Sequence, residues 1–330
     1  MNRSLLLVCI VLAVVVGVAG VVHFTQPRPM TEVRMGLQVF SGLEPLVLAQ
    51  KKGYYAANGA NVHVQRFTSL YDSKRAFTEG KIDVTTMTLF DAILLADQGV
   101  PFQIVLVVDY TQGSNAIVAK KGVATVKDLR GKRVGVTAGA ALHSVLLAAL
   151  DKNGMRETDV IIVHHPPNRL AELFLAGELD AASLVDPFLA QVLGKDGGHV
   201  VFGSQEIPQL ITDVLIIRPD LERTHPGAVD AIVRGYFQAL DFWKSDEHEA
   251  VGIMAESTGL TAQEFRQVLK GLAITGKNEN AEAFGLTQAA GSLQRTIATW
   301  DRILMDNGYL KQPSNLAARL EDAHVRRAMP

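Results

Sequence analysis

Acidic residues follow several predicted strands of this 330-residue chain, whereas basic residues are nearly absent from the same positions. Asp109 and Asp213 each lie at the end of a predicted strand, beside a predicted crossover. Carboxylates gathered at one edge of a sheet favour a ligand with an amine, an amidine or another cationic group. We therefore predict a site for a small nitrogen-containing molecule, zwitterions included, with Asp109 or Asp213 on its positive end.

The predicted ligand-binding residues share one location, the carboxyl ends of predicted strands, where open α/β folds bind their ligands. They are Ser41, Glu44, Ser69, Thr88, Phe90, Asp109, Tyr110, Gly139, Ala140, Asp186, Phe188 and Asp213.

Several acidic and aromatic residues near these loops have a structural alternative. Asp72 and Asp91 fall in the first turns of predicted helices, where a carboxylate caps free N–H groups, and we favour capping for both. Asp186 precedes a proline at a helix start and has the same option. Phe90 and Phe188 could line the pocket or could equally pack between layers.

A strand, a tight turn and a helix are predicted within residues 126–150. The run RVGV at 133–136 has no helical period, and leucines recur at helical spacing from Leu142 to Leu150. The first backbone N–H groups of such a helix point at the carboxyl edge of the sheet, so Gly139 and Ala140 could hold an anionic part of the ligand. Gly139 could also do no more than permit the turn.

Alternating strands and helices over residues 33–108 predict a parallel, doubly wound sheet. A second unit follows, and a strand at 214–217 would return the chain to the first. Two crossings, near residues 115–120 and 212–218, would restrict the two lobes to a hinge motion that closes on a ligand. We assign residues 1–30 to an export segment and linker, 31–115 and 213–330 to the first lobe, and 116–212 to the second. Helices are predicted at 226–244, 250–257, 262–271 and 288–307.

The two predicted lobes share the motif Phe-x-x-Gly-[Lys/Glu]-[Ile/Leu]-Asp-[Val/Ala]. Four pairs of residues stand at one offset of 97 positions, which favours internal duplication over convergence on a common α/β spacing. The pairs are Gly42 with Gly139, Phe77 with Phe174, Gly80 with Gly177, and Asp83 with Asp180.

The order of motifs in the chain resembles a known family. The run DLRGKRVGV, then Gly139 and His143 at a helix start, Phe174-x-x-Gly-x-Leu-Asp-Ala and Asp186-Pro-Phe are similar to substrate-binding proteins of ABC importers. Those importers carry nitrate, sulfonates, taurine and thiamine-pyrimidine precursors. The resemblance covers residues 33–309 and implies a two-lobed α/β periplasmic-binding-protein fold of type II, each lobe a doubly wound, mostly parallel sheet. It also implies a non-catalytic receptor whose partners are a small-molecule ligand and the membrane permease of an ABC transporter.

The sequence departs from the family at two positions that bear on the ligand. Ala140, Ala141 and Leu142 stand where the sulfonate and nitrate group usually has hydroxyl residues, and Val185 replaces a tryptophan. Oxyanion donors are therefore depleted, although backbone N–H groups could still hold an anion.

An apolar segment at residues 5–22 follows Arg3 and predicts export from the cytoplasm. Cleavage after Ala19 or Gly20 would leave a periplasmic or extracytoplasmic protein, and an uncleaved segment would anchor it to the inner membrane. Cys9, the sole cysteine, lies within this segment, so the mature part would have no disulfide.

Charge and motifs argue against several other functions. The net charge of -2 gives no basic footprint for nucleic acid. The sequence has no P-loop, G-x-S-x-G or H-E-x-x-H motif, and His164 and His165 would point to opposite faces of one strand. We expect no catalysis, cofactor or metal. The alternatives are a membrane-anchored ligand sensor and an enzyme of thiamine-pyrimidine or quinone synthesis on the same fold.

Overall fold

Two mixed β-sheets organise the chain in the computed structural model, which describes residues 31–139, 141–186, 188–194, 198–287 and 291–329. The first sheet contains β1 (Thr31–Gln38), β2 (Ala60–Phe67), β3 (Val84–Thr88), β4 (Gln103–Thr111), β10 (Thr212–Ile217) and β11 (Leu272–Ile274). The second contains β5 (Asn115–Ala119), β6 (Arg133–Val136), β7 (Ile161–His164), β8 (Ala181–Val185) and β9 (His199–Gly203). The strand orders are β11-β4-β10-β3-β1-β2 and β7-β6-β8-β5-β9.

Helices follow most strands and cover both sheets. Those before the second crossing are α1 (Glu44–Lys51), α2 (Tyr54–Ala57), α3 (Leu70–Thr78), α4 (Leu89–Asp97), α5 (Ala141–Lys152), α6 (Pro167–Ala176) and α7 (Phe188–Leu193). Those after it are α8 (Leu221–Thr224), α9 (Ala228–Ser245), α10 (Glu247–Thr258), α11 (Ala262–Leu269), α12 (Lys277–Ala283), α13 (Ser292–Asp306) and α14 (Ala323–Ala328).

The predicted α/β fold is confirmed, and both sheets are mixed, with one antiparallel strand set inside each sheet and β11 antiparallel at the edge of the first. β1 pairs in parallel with β2 and β3, and β10 lies antiparallel between β3 and β4. In the second sheet β6 pairs in parallel with β7 and β8, and β5 lies antiparallel between β8 and β9. Since β10 and β5 each begin directly after a crossing, each enters its sheet against the direction of the neighbours.

The chain passes between the two sheets twice. Residues 112–114 join β4 to β5, and residues 204–211 join β9 to β10. A pair of short connections leaves the two units few ways to move relative to each other, of which hinge bending is the simplest.

The two sheets repeat one plan in detail. Asp83 accepts the backbone N–H of Arg34 at 3.0 Å, and Asp180 accepts that of Arg133 at 2.8 Å. Each aspartate follows a glycine in the left-handed region, Gly80 at φ +71° and Gly177 at φ +88°, that ends a helix. In each unit the aspartate accepts a hydrogen bond from a backbone N–H of a parallel strand, β1 or β6, a contact that we call the clamp. The shared strand order and the shared clamp support the internal repeat.

One of the four predicted pairs is not equivalent in conformation. Gly139 has φ +57° and open space beside it, whereas Gly42 lies buried in a 3₁₀ turn (Ser41–Leu43) without a left-handed φ. In the strand pairing, Gly36 is instead equivalent to Gly135, 99 positions later. Gly36 is the second residue of β1 that pairs with β3, and Gly135 is the second residue of β6 that pairs with β8. The loop before the helix is therefore two residues longer in the first unit.

The C-terminal third is largely helical, as predicted, with two additions. The prediction of a helix to residue 271 was wrong at its end, since α11 stops at Leu269 and β11 follows at the sheet edge. The sequence analysis also missed α12. The predicted helix at 288–307 begins at Ser292, and residues 288–290 lie outside the described residues.

The apolar N-terminal segment, residues 5–22 with Cys9, lies outside the described residues. Within the part of the chain that the structure does describe, no helix has both the length and the apolar character needed to cross a bilayer.

Candidate functional site

Asp109 and Asp213 lie directly opposite each other on neighbouring strands, where both crossings meet the first sheet. Asp213 is the second residue of β10 and pairs in register with Asp109, near the end of β4. Residues directly opposite in an antiparallel pair share one face of the sheet, so both carboxyls point the same way. The side chains are nearly inaccessible to solvent, at 0% and 6% exposure. We call these two residues the acid pair.

The acid pair has no cationic partner within the described part of the chain. Among the described residues, neither carboxyl oxygen of Asp109 receives a hydrogen bond from an N–H or hydroxyl donor. Burial, and then the charge of Asp213, raise the pKa of Asp109 well above its ordinary value. Burial, and then the charge of Asp91, raise the pKa of Asp213 to about 7. Both shifts favour the uncharged form of a buried carboxyl beside another carboxyl, so without a ligand we expect the acid pair to hold a proton between its two carboxyls.

Two other buried acids in this region are already compensated. Asp91 accepts a hydrogen bond from Lys74 Nζ at 3.2 Å and one from Thr88 Oγ1 at 2.8 Å. The carboxylate of Glu44 accepts hydrogen bonds from Arg66 and from Ser257. The expectation that basic residues are nearly absent from this edge was therefore wrong. Arg66 is the penultimate residue of β2, at the carboxyl end of that strand, whereas Lys74 lies in the middle of α3.

The hydroxyl residues predicted at the strand ends serve their own helices. Ser69 Oγ accepts the N–H of Asp72 at 3.2 Å and caps α3, and Thr88 Oγ1 accepts the N–H of Asp91 at 3.0 Å and caps α4. The prediction that the carboxylates of Asp72 and Asp91 cap free N–H groups was wrong in the capping group: Ser69 and Thr88 are the caps, and each carboxylate accepts a hydrogen bond from the capping hydroxyl.

The turn around Gly42 lies against the acid pair. A Cβ placed on Gly42 would come within 2.3 Å of Asp109 Oδ2 and 2.7 Å of a ring carbon of Phe40. Ser41, beside it, is buried. The Asp109 carboxyl therefore occupies the space that a side chain at position 42 would need, which explains the glycine without any unusual backbone conformation.

The corresponding turn in the second unit is more exposed. The N–H of Gly139 points at His143 Nδ1 at 3.4 Å, a weak hydrogen bond that a ligand could replace. Ala140 lies outside the described residues. Asp186 is exposed and its Oδ1 accepts the N–H of Ala190 at 3.1 Å, while Phe188 packs half-buried against the smaller hydrophobic core.

Tyr110 and Phe90, the remaining predicted aromatic contacts, are both buried. Tyr110 follows Asp109 and hydrogen-bonds to Ser292 at the start of α13. The Phe90 ring meets Trp300 edge-on at a centroid distance of 5.2 Å and His143 at 5.9 Å. Phe90 therefore joins α4 of the first unit to α5 of the second.

A polar cluster of His143, Glu157 and Tyr309 was not predicted from the sequence. His143 Nε2 lies 2.7 Å from Glu157 Oε1, and Tyr309 donates to Glu157 Oε2 at 2.6 Å. Burial raises the pKa of Glu157, but the hydrogen bonds from His143 and Tyr309 outweigh it and lower that pKa. These residues are far apart in sequence and no motif spacing links them. The cluster ties the second unit to the chain that follows α13.

Four surface cavities of about 280 to 440 Å³ lie elsewhere on the described part of the chain. The largest is lined by Leu240, Trp243 and Ile274 among others, and neither member of the acid pair lines any of the four. Cavity size therefore does not identify the site. The buried and uncompensated carboxyls of the acid pair identify the candidate site instead.

Comparison with known proteins gives the family. A model of the NMT1-like family matches residues 26–257. The chain belongs to the NMT1-like family. It is similar to the taurine-binding periplasmic protein of Escherichia coli (strain K12), with 28% identity over 254 residues that cover 73% of this chain and 78% of that protein.

Solved structures establish the periplasmic-binding-protein fold for this NMT1-like chain. The alkanesulfonate-binding protein SsuA from Xanthomonas axonopodis pv. citri, bound to MOPS, has a TM-score of 0.69 at 18% identity, covering 88% of this chain and 98% of that one. The desulfurization enzyme DSZB has a TM-score of 0.63 at 14% identity, covering 90% and 98%. The same fold thus serves binding proteins and an enzyme, so function has to be argued from the site.

Proposed function

We propose that this protein is an extracytoplasmic solute receptor that binds a small organic molecule carrying a positively charged nitrogen and delivers it to an ABC importer. The observation that carries the proposal is the acid pair. Two buried carboxyls face each other without a cationic partner among the described residues, while every other buried acid named in this region has one.

A ligand ammonium or amidinium group would stabilise the acid pair by replacing its shared proton. Burying an uncompensated carboxylate is costly, and a cation within hydrogen-bond distance of both carboxyls offsets that cost. The bound form would then have both Asp109 and Asp213 ionised. Binding of such a ligand should therefore release protons and tighten as the pH rises through 7.

A zwitterion fits the rest of the site. The N–H of Gly139 is held only weakly by His143 and could donate to a sulfonate or carboxylate at the other end of the ligand. Taurine, which names the Escherichia coli relative, combines an ammonium group with a sulfonate. Aminosulfonates and amino acids of similar size are accordingly the first ligands to test.

Hinge closure about the two crossings is the proposed mechanism. The acid pair lies where both crossings meet the first sheet, and Phe90 already contacts His143 of the second unit. Parting of the two units would expose the acid pair, and closing would bury a ligand between them. Small-angle scattering that shows no compaction when a bound ligand is added would contradict this mechanism.

A thermal-shift screen of the purified protein is the direct test. The compounds are taurine, alkylsulfonates, nitrate, pyrimidines, ureas, amidines and polyamines. A ligand at about 100 times its dissociation constant adds about 2.7 kcal/mol to the free energy of unfolding, a shift of a few degrees for a chain of this size. Hits among amines and amidines support the proposal, and hits confined to nitrate and amine-free sulfonates contradict it.

Matched variants locate the binding. Asp213→Asn should lower the affinity for an amine hit at least about tenfold, because the acid pair then keeps only one of its two negative charges. Asp97→Asn removes an exposed acid in the last turn of α4 and should leave the affinity unchanged. Equal affinity in the wild type and Asp213→Asn would exclude Asp213 from the ligand contact.

A further inference from the structure

The acid pair depends on one of the two places where β4 carries an extra residue against β10. Val214 pairs with Val107, yet the preceding residue, Asp213, pairs with Asp109, so Val108 has no partner of its own on β10. In a regular ladder Asp213 would oppose Val108, and Asp109 would point to the other face of the sheet. A β-bulge at Val108 therefore brings the two carboxyls together.

Asn280 holds the residue before the bulge from outside the sheet. Its side-chain amide accepts the N–H of Val107 at 2.8 Å and donates to the carbonyl of Val107 at 3.0 Å. The neighbouring strand β11 ends at Ile274, so the amide supplies the pairing that a longer strand would have given. Asn280 is fully buried, and the bonds to Val107 leave that residue no freedom to shift along the ladder.

Thr275 and Tyr236 hold the carbonyl groups at the bulge. Thr275 donates its N–H to Val108 O at 3.0 Å and its hydroxyl to Val107 O at 2.6 Å. The Tyr236 hydroxyl lies 2.9 Å from both Val108 O and Thr275 O. Both side chains are buried, at 1% and 0% exposure. A polar network with every member satisfied fixes one backbone arrangement.

We infer that Asn280, Thr275 and Tyr236 are positioning residues for the ligand site, because they lock the bulge that places Asp109 opposite Asp213. None of the three needs to touch a ligand. That the positioned carboxyls bind a ligand rests on the proposed function, but the positioning itself does not. Burial raises the pKa of Tyr236, and the charge of the nearby Asp109 raises it further.

Proton titration of the acid pair tests the positioning, because this measurement requires no ligand. Carboxyl ¹³C NMR of the full chain, with the signals assigned by Asp109→Asn and Asp213→Asn, follows the two titration steps of the acid pair. The ionisable groups facing the pair are Asp91 and Tyr236, with Lys74 and His143 beyond Asp91. The titration therefore reports the distance between the two carboxyls as long as the charges of these neighbours are unchanged, and Tyr236, whose pKa is raised by burial, stays uncharged throughout.

Thr275→Val removes only the hydroxyl that holds Val107, and Thr275→Ser restores it. Thr85→Val is the matched control, since Thr85 is equally buried in the same sheet and donates to the carbonyl of Gly36 at 2.8 Å. In Thr275→Val the upper titration step should fall by about one pH unit, a tenfold change in proton affinity, because the carboxyls separate. It should stay in place in Thr275→Ser and Thr85→Val, although Thr85→Val loses comparable stability.

An upper step that is unchanged in Thr275→Val would overturn the inference, and so would an equal fall in Thr85→Val. If Thr275→Val does not fold, Tyr236→Phe takes its place, because it removes one hydroxyl and keeps the ring, and the same shift is expected. The failure of every amine to bind the wild type would contradict the proposed function while leaving this titration result intact.

Discussion

The two sheets share a strand order but differ in the residues at one matching position. In the first sheet the second residue of β10, Asp213, pairs with Asp109 of β4. In the second sheet the second residue of β5, Ala116, pairs with Gly203 of β9. The same backbone plan therefore carries two buried acids in one unit and two small, uncharged residues in the other. The fold sets where a site can form, and the side chains set its chemistry.

The largest expected effect comes from the glycines at the two equivalent turns. Gly42→Ala should lower the affinity for an amine ligand at least about 100-fold, because the new Cβ displaces the Asp109 carboxyl. It should also lower the free energy of unfolding by about 1–3 kcal/mol through overpacking. Calorimetric titration and urea unfolding measure the two losses.

Gly139→Ala is the counterpart in the second unit. Its Cβ meets open space, so the expected cost is only about 1 kcal/mol of stability for an alanine at φ +57°. The affinity should hold because the N–H group is retained. Equal losses of affinity in the two variants would contradict the difference between the turns.

The second prediction concerns the pH dependence of stability. The pKa of Asp213 is about 7 in the folded protein, above the ordinary value that applies to the unfolded chain. The folded state therefore binds more protons than the unfolded state between about pH 4 and 7, and stability falls as the pH rises through that window. Asp213→Asn should remove this loss, on the order of 3 kcal/mol at pH 8, and change little at pH 4.

Urea unfolding at both pH values measures this effect in the ligand-free protein. If the free energy of unfolding changed equally with pH in wild type and in Asp213→Asn, Asp213 would be ionised in the folded protein without penalty. A cation would then already compensate the acid pair.

The third prediction compares the clamps that the two units share. Burial raises the pKa of Asp83, but the hydrogen bonds from Arg34, with the guanidinium Nη2 at 2.6 Å, outweigh it and lower that pKa. Asp180 holds only the backbone of Arg133, whose Nε donates to Glu178 O instead. Asp83→Asn should therefore cost about 1 kcal/mol more than Asp180→Asn at pH 7.

A depressed carboxyl pKa stabilises the fold above the unfolded value of about 4 and loses its effect at lower pH. The excess cost of Asp83→Asn should accordingly shrink in urea unfolding as the pH falls below about 4. A larger cost for Asp180→Asn at pH 7 would reverse the comparison.

The smallest effect is expected at the contact between the two units. Tyr309→Phe removes the hydroxyl that donates to Glu157 and should lower the free energy of unfolding by about 1 kcal/mol. Tyr71→Phe, at an exposed residue of α3, is the control and should cost nothing measurable. Indistinguishable unfolding midpoints for the two variants would exclude a contribution from the Tyr309 hydroxyl.

Much of the fold could be predicted from hydrophobic periodicity and turn residues. The strand at 133–136 was placed at its exact bounds, whereas the capping role assigned to Asp72 and Asp91 belongs to Ser69 and Thr88. β11 was missed because a three-residue strand at a sheet edge has too few residues to show alternation. Gly42 was matched to Gly139 by spacing, which cannot detect a two-residue difference in loop length.

Of the site, the sequence could predict Asp109 and Asp213 as residues but not as a pair. Their opposition depends on the bulge at Val108, and the bulge depends on Asn280, which lies 173 positions from Val107. Lys74 was not expected as a partner of Asp91 because its long side chain reaches the strand end from the middle of a helix, and Arg66 was overlooked although it lies at the end of β2. Such contacts are set by tertiary packing and leave no local pattern.

Proton release on ligand binding tests the central claim most directly. The enthalpy of binding is measured calorimetrically at pH 6.5 for the amine with the largest thermal shift, in buffers with different ionisation enthalpies. Wild type should release close to one proton per ligand, since the ligand replaces the proton shared by Asp109 and Asp213, and Asp213→Asn should release far fewer. Tight binding without proton release, or with proton uptake, would contradict the claim that the acid pair receives the positive end of the ligand.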